Sequence, residues 1–156
     1  MLDLVFQNNT GEEAPLDNFF IKVFETCDSI LKLGDKNIEL SLNLVGEEKI
    51  KELNKQYRNK DEVTDVLSFP MNETFNFQLP ALPAGRSTFN SIDLGDIFIC
   101  LPFAKKQAKL ENVDIETKLA QLAVHGFLHL LGYDHEKSEE EAEKMFNLEK
   151  QILSKL

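Results

Sequence analysis

The chain has 156 residues, of which 42% are hydrophobic and 28% charged, which are the proportions of a single globular domain spanning residues 1–156. Its formal net charge of -10 argues against non-specific nucleic-acid binding, which depends on Lys and Arg neutralising phosphates. No apolar run approaches the roughly 20 residues of a membrane span, and the first residues lack a signal-peptide pattern, so we expect no membrane partner. Cys27 and Cys100 lie in apolar surroundings without a C-x-x-C pair, which indicates buried free thiols in a reducing cytoplasm.

Two strands and two helices are predicted in the first 60 residues. Weak alternation indicates a strand over residues 2–6, and strict alternation indicates one over 38–44. Apolar residues at helical spacing predict a first helix with Pro15 at its first position and Gly34 as its C-cap. A second helix is predicted over residues 47–57. Its core-facing side is expected to carry Ile50, Leu53 and Tyr57.

The second helix and the loop after it form a basic run, KIKELNKQYRNK, over residues 49–60. Five Lys or Arg stand against one acidic residue, Glu52. A solvated helix face is the ordinary interpretation of such a run, and a local basic surface on an acidic protein is the alternative.

Two further strands are predicted over residues 65–69 and 94–101. The stretch between them, 71–92, contains Pro80, Pro83 and Gly85 and is predicted to be a long loop. It is too apolar for a simple linker, and no function is assigned to it.

Three helices are predicted to follow. Pro102 opens a short one over residues 102–110, Asp114 caps one that runs to about residue 131, and Ser138 with Glu141 forms a capping box for the last. The core-facing side of the last helix is expected to consist of Ala142, Met145, Phe146, Ile152 and Leu153. The order βαβαββααα predicts an α+β domain, with helices packed on a small mixed β-sheet.

All three histidines of the chain fall within the segment HGFLHLLGYDH, residues 125–135. His125 and His129 are four residues apart and therefore share one face of a helix. His135 would lie on the wrong side of that helix if it continued, so it can join the other two only if the helix stops. Gly132 is where it can stop, because glycine accepts the left-handed conformation that ends helices.

Three neutral imidazoles give an open tetrahedral site, in which the fourth position is left for water or substrate. We therefore predict one zinc ion held by His125, His129 and His135, and other divalent transition metals such as nickel, copper or iron fit the same ligands. Asp134 is the nearest candidate for a fourth ligand, but adjacent residues rarely reach one ion. The helix that carries the first two histidines is mostly apolar and is predicted to be central. Gln121 and Lys118 share the His125 face of this helix, which is the face expected to open to solvent.

The metzincin peptidases share this spacing, H-E-x-x-H-x-x-G-x-x-H. The glutamate that serves as their general base is replaced here by Gly126. Peptidase activity is therefore disfavoured, although the metal geometry is compatible.

HGFLHLLGYDH resembles the HGxLHLxGYDH signature of the YbeY endoribonucleases, also called rRNA maturation factors. YRNKDEVTDVLSFP, residues 57–70, and LGDIFIC, residues 94–100, resemble two other characteristic stretches of that family in the same order. The resemblance spans nearly the whole chain. Val63 departs from it, since the family commonly has proline there, and this change is expected to affect loop stiffness more than chemistry.

The resemblance implies a metal-dependent, single-strand-specific endoribonuclease that acts in 3′-end maturation of small-subunit rRNA and in ribosome quality control. The implied partners are single-stranded RNA, the small ribosomal subunit with one of its proteins, and an assembly GTPase. It also implies that Arg58 is a catalytic residue facing the metal cleft, where a guanidinium can clamp a phosphate in bidentate fashion. The acidic net charge then implies that specificity comes partly from protein partners.

Other polar residues of these stretches carry weaker expectations. Thr64, Asp65 and Ser68 are expected to shape the loop and strand. Asp96 either orients a ligand histidine through its free ring nitrogen or caps a turn. Tyr133 is expected to pack in the core, with stacking on a nucleobase as the alternative.

Two other function classes stay open from the residues alone. One is a non-catalytic ribosome-assembly factor with a structural metal, and the other is a zinc hydrolase acting on a substrate other than RNA. The sequence singles out neither a general base nor an oligomeric state.

Overall fold

A computed structural model of the chain describes residues 1–71 and 91–156, together with the backbone of residues 87 and 88. Five strands and five helices are described, in the order β1 (Leu2–Asn8), α1 (Asp17–Leu31), β2 (Asn37–Val45), α2 (Glu47–Arg58), β3 (Val66–Pro70), β4 (Ser87–Thr88), β5 (Ser91–Cys100), α3 (Leu101–Glu111), α4 (Ile115–Leu130) and α5 (Glu139–Leu153). The predicted order is therefore confirmed, with the short strand β4 added. Most of the segment 71–92, predicted to be a loop, lies outside the described residues.

The sheet is mixed, as predicted, with strand order β1-β2-β5-β3. β1 pairs with β2 and β2 pairs with β5 in parallel, whereas β3 and β4 pair with β5 in antiparallel fashion. Strict alternation along β2 buries Ile38, Leu40, Leu42 and Leu44 on one face. That face carries the main core, and the helices that cover it include α1 and α4.

Helix α4 lies at the centre of the molecule, as its apolar composition predicts. It packs against α1, α3, α5, β3 and β5, and the Phe127 ring stacks on Phe24 of α1 with centroids 5.4 Å apart. The side chain of Asp114 caps its first turn by accepting from the Thr117 backbone N–H at 2.7 Å. The central position holds the last turns of α4 rigidly against the sheet.

Several helix details differ from the sequence expectations. Pro15 precedes α1 instead of opening it, and the C-cap is Lys32, in the left-handed conformation with φ 54°, so the prediction of Gly34 was wrong. Phe146 of α5 is 63% exposed, whereas Met145 and Ile152 are buried as predicted. The capping box is confirmed by the Glu141 N–H donating to the Ser138 hydroxyl at 3.1 Å.

Lys118 is not at a solvent opening of α4. It is 7% exposed, and its ammonium pairs with the Glu111 carboxylate of α3 at 2.8 Å. An ion pair at the α3–α4 contact lets the long lysine stem be buried while its charge is neutralised.

Candidate metal centre and cleft

The end of α4 brings the third histidine back to the first two. The helix stops at Leu130, and Gly132 follows with φ 95°, a conformation that disfavours residues with a Cβ. The Gly132 N–H donates to the carbonyl of His129, and the next N–H donates to that of Leu128, which closes the turn. The ring of His135 consequently lies 5.3 Å from the rings of both His125 and His129. The predicted helix stop is confirmed.

The three imidazoles form a donor set of the size that a metal ion needs. The Nε2 atoms of His125 and His129 are 3.0 Å apart, and each ring offers one nitrogen within 4.8 Å of the other two. Two nitrogens bound to one tetrahedral zinc ion at 2.0–2.1 Å stand about 3.3 Å apart. His125 and His129 are close to that spacing already, and His135, on an exposed turn, is the ligand with most room to adjust. The residues present therefore fit one zinc ion.

The electrostatics of the cluster favour a neutral ring at its inner position. The pKa of His129 is lowered to about 4, first by burial and then by the neighbouring His125 and His135. A neutral imidazole keeps the lone pair that a metal ligand must offer.

Glu149 of α5 fixes the orientation of His125. Its Oε1 lies 2.5 Å from the His125 Nδ1. Because an ionised carboxylate can only accept, Nδ1 carries the hydrogen and donates, which leaves the Nε2 lone pair facing the other histidines. This carboxylate–histidine arrangement is the one that usually orients metal-ligating histidines.

Sequence reasoning missed Glu149, although a signal existed. It follows the buried Met145 by four residues and precedes the buried Ile152 by three, so it lies on the core-facing side of an amphipathic helix. A carboxylate at such a position needs a polar partner. The sequence does not reveal which partner, because α4 and α5 meet only in the folded chain.

The histidines open into a cleft of about 660 Å³. Its other walls come from the end of α2, the loop that follows, and β3, and include Tyr57, Arg58, Lys60, Thr64, Asp65, Ser68 and Phe69. The structure thus places Arg58 in the same cleft as the histidines, although 67 positions of sequence separate it from the first of them.

The Arg58 side chain is exposed and has no ion-pair or hydrogen-bond partner among the described residues. Other members of the basic run are engaged elsewhere: Lys49 lies 3.8 Å from Glu52, and Lys51 lies 3.9 Å from Asp61. The run is therefore divided, with these two lysines in solvated ion pairs and with Arg58 and Lys60 on the cleft wall.

The polar residues of the loop and β3 have structural partners, as expected. The Asp65 carboxylate accepts from the Val66 N–H at 2.7 Å and lies 3.5 Å from the Gln107 side-chain nitrogen. The Ser68 hydroxyl donates to the carbonyl of Gly126 at 3.2 Å and so joins β3 to α4.

Both expectations for Asp96 were wrong. It lies inside β5, where it pairs with Phe69 and its carboxylate accepts from the Ser41 hydroxyl, and among the described residues it neither contacts a histidine nor caps a turn. Its neighbour Ile97 is the residue that faces α4, so Asp96 points to the opposite side of the sheet. The carboxylate that orients a histidine is supplied by Glu149 instead.

Two residues of the histidine turn have structural partners. The Asp134 carboxylate accepts from the Glu136 N–H at 2.8 Å, which stabilises the turn. Tyr133 packs against the main core, as expected, and the Lys144 ammonium lies 5.8 Å from its ring centroid.

Gly126 lies where α4 touches the sheet. A Cβ at this position would stand 3.0 Å from Ile97 Cγ2 and 3.2 Å from the Ser68 hydroxyl oxygen. A glutamate side chain there would begin in close contact with Ile97 of β5 and Ser68 of β3. A larger residue at this position would therefore have to displace these two side chains.

Known proteins are similar to this chain over most of its length. A family model described as endoribonuclease YbeY matches residues 5–156. The chain belongs to the endoribonuclease YbeY family. A relative with that name from Halalkalibacterium halodurans is 47% identical over 124 residues, which cover 79% of this chain and 75% of the relative. Another from Oenococcus oeni is 38% identical over 155 residues, which cover 98% and 95%. A solution structure of a Thermotoga maritima protein has a TM-score of 0.59 and 29% identity, and it covers 97% of this chain and 87% of that protein.

Membership of this family confirms the resemblance that the three sequence motifs indicated. In the described part of the chain, no helix is both long and apolar enough to cross a membrane.

Proposed function

We propose that the protein is a metal-dependent endoribonuclease that cleaves single-stranded RNA in the maturation of small-subunit rRNA 3′ ends and in ribosome quality control. The observation that carries this proposal is the convergence on one cleft of three histidine nitrogens and of Arg58, whose guanidinium has no ion-pair partner in the part of the chain that the structure describes. The relatives in the family are named endoribonucleases, which supports an RNA phosphodiester as the substrate.

His125, His129 and His135 would hold one zinc ion through their ring nitrogens. When bound, a zinc ion would act as a Lewis acid on the phosphodiester and promote ionisation of water near neutral pH. Glu149 holds the His125 ring in the tautomer that presents Nε2 to the site. Burial keeps His129 neutral and ready to act as a ligand.

Arg58 would bind the scissile phosphate. Its guanidinium is free of carboxylate partners among the described residues and lines the cleft, so no ion pair has to break before it engages the substrate. A planar fork of donors matches two phosphate oxygens and stabilises the extra negative charge of the transition state. Lys60, on the same wall, adds positive charge for an adjacent phosphate.

The charge and the cysteines of the chain support proposals about its partners and its location. The cleft lining includes the acidic residues Glu62, Asp65, Asp134 and Glu136 beside Arg58 and Lys60, and the net charge of the chain is -10. RNA affinity would therefore depend on further contacts made by the small ribosomal subunit and its assembly factors. We also propose that the protein is cytoplasmic, because its two cysteines are free and buried, as is usual in a reducing compartment.

The two other function classes fit the geometry less well. A structural zinc site is normally closed by four protein ligands, whereas three histidines converge here at the wall of an open cleft. A peptidase, one kind of zinc hydrolase, would need a base at the position of Gly126, where a Cβ would already stand 3.0 Å from Ile97 Cγ2.

The test is RNA cleavage by purified protein. A labelled single strand and the same sequence in a duplex are incubated with zinc-loaded protein, with chelator-treated protein, and with chelator-treated protein resupplied with zinc. Cleavage of the single strand alone, lost with chelator, restored by zinc and absent in His125→Ala, is the expected result. Undiminished cleavage after zinc is removed would refute metal dependence, and intact RNA in every arm would favour the assembly factor.

A further inference from the structure

Tyr57 presents an aromatic ring to the cleft. The sequence predicts a core-facing side chain, yet the residue is 60% exposed and lines the same cavity as Arg58 and the three histidines. Its ring is held by Phe69, in a T-shaped contact with centroids 5.1 Å apart and an interplanar angle of 61°. Phe69 is in turn supported by Phe98 at 5.7 Å. The exposed ring therefore stands on a row of aromatic side chains that limits its movement.

The surroundings of this ring match a nucleotide in both of its parts. A nucleobase offers a flat apolar face, and its phosphate offers negative charge. Tyr57 supplies an aromatic surface, and the cations of Arg58 and Lys60 lie on the same wall of the cleft, which also carries Glu62 and Asp65. The Asp65 carboxylate is engaged by the Val66 N–H, at 2.7 Å. Aromatic platforms beside cationic side chains are the usual means of binding single strands without sequence preference.

We propose that Tyr57 is a stacking platform for one nucleobase of the single-stranded RNA whose phosphate Arg58 binds. This inference rests on the proposed function and adds a base-binding subsite to it. The subsite favours single strands, because a base within a duplex is already stacked on both faces and unavailable to the ring. Phe69 is the positioning residue, since it orders the Tyr57 ring before the substrate arrives and so reduces the entropy lost on binding.

The first experiment measures binding of zinc-loaded protein to two 2′-O-methyl single-stranded oligonucleotides whose integrity is checked afterwards. One carries all its bases, and the other is a matched abasic strand with the same phosphates. Tyr57→Ala is expected to weaken binding of the strand with bases by roughly 5- to 100-fold, the range of one lost stacking contact. It should leave binding of the abasic strand unchanged, and Tyr57→Phe should keep nearly wild-type affinity for both.

The matched control is Phe146→Ala. This residue is an equally exposed aromatic, at 63%, but it lies on α5 and does not line the cleft, so its removal should change neither affinity. Equal weakening of both strands by Tyr57→Ala would overturn the proposal, because loss of a base contact cannot weaken a strand without bases. A defect in Tyr57→Phe as large as that of Tyr57→Ala would overturn it too, since the hydroxyl and not the ring face would then be the contact.

A second measurement does not require the alanine variant to fold. The chain contains no tryptophan, so Tyr57→Trp introduces a single reporter at the platform, and Phe146→Trp introduces one elsewhere. Excited beyond the absorption of the bases, the fluorescence of the first variant should be quenched by the strand with bases and hardly by the abasic strand, whereas the second should respond to neither. An unresponsive Tyr57→Trp at concentrations where the strand binds would overturn the proposal.

Failure of the stacking site can be separated from failure of the proposed function. If the wild-type protein cleaves single-stranded RNA but binding at residue 57 does not depend on the bases, the proposed function stands and the stacking subsite is refuted. If the wild-type protein cleaves no RNA but its binding still depends on the bases, the proposed nuclease activity is refuted and the single-strand binding site stands.

Discussion

Replacing Glu149 by alanine should weaken zinc binding without unfolding the protein. The carboxylate contacts the His125 Nδ1 at 2.5 Å, so its loss leaves the ring free to rotate and free to change tautomer. Loss of such an outer partner typically costs 10- to 100-fold in metal affinity, which corresponds to about 1.4–2.8 kcal/mol. The two side chains are 23% and 29% exposed, so water can replace part of the lost contact, and we expect a value near the lower limit, about tenfold.

The assay is competition for zinc between the protein and a chromophoric chelator of known affinity. Glu149→Gln retains an oxygen acceptor for the Nδ1–H and should recover part of the affinity. Glu143→Ala removes the same charge from an exposed position of α5 outside the cleft and serves as the control for net charge. The absorption of cobalt-substituted protein adds a readout of ligand geometry, and it should change in Glu149→Ala but not in Glu143→Ala.

Wild-type zinc affinity in Glu149→Ala would refute the reasoning, because the His125 ring would then be oriented without the carboxylate. An equal loss in Glu143→Ala would also refute it, since long-range charge and not the hydrogen bond would be responsible.

Substitutions at three further positions test the remaining parts of the site. His125→Ala should lose stoichiometric zinc on dialysis and unfold at a lower temperature than the zinc-loaded wild type. The loss of stability should be smaller than the ~10 kcal/mol that zinc contributes in structural sites. Retention of one zinc per chain would show that the ligand set is wrong. Arg58→Ala should keep its zinc and a stability within about 0.5 kcal/mol of wild type, while single-turnover RNA cleavage falls by about 100-fold. Arg58→Lys should restore only part of that rate because it lacks the planar fork, and full cleavage by Arg58→Ala would remove this residue from the site. Gly126→Glu should lower the free energy of unfolding by at least about 2 kcal/mol, since its side chain meets Ile97 and Ser68, and should not hydrolyse casein; a stable variant with protease activity would contradict the packing argument.

The features that the sequence predicts correctly are those governed by neighbours along the chain. The spacing of His125 and His129 places both on one face of any helix, and Gly132 provides the left-handed turn that returns His135. Strict alternation along β2 and the cap formed by Asp114 are local in the same sense. Such features do not depend on where the helix or strand lies in the fold, because helical periodicity and backbone sterics act over a few residues.

The features that the sequence does not predict depend on which helices and strands pack against each other. Tyr57 was assigned to the core from helical periodicity, but α2 docks so that this ring faces the cleft and rests on Phe69 of β3. Asp96 was considered beside the histidines, but its position in β5 puts it on the far side of the sheet.

By itself, the sequence determined the order of the elements, the turn that gathers three histidines, and the family to which the chain belongs. Only the tertiary structure decided that Glu149 orients His125, that Arg58 and Tyr57 share the cleft with the metal ligands, and that Gly126 packs tightly against Ile97 and Ser68. The physical reason is that these contacts join residues far apart in the chain. Their formation depends on strand register and helix docking, which are set by how the whole core packs and not by any local pattern.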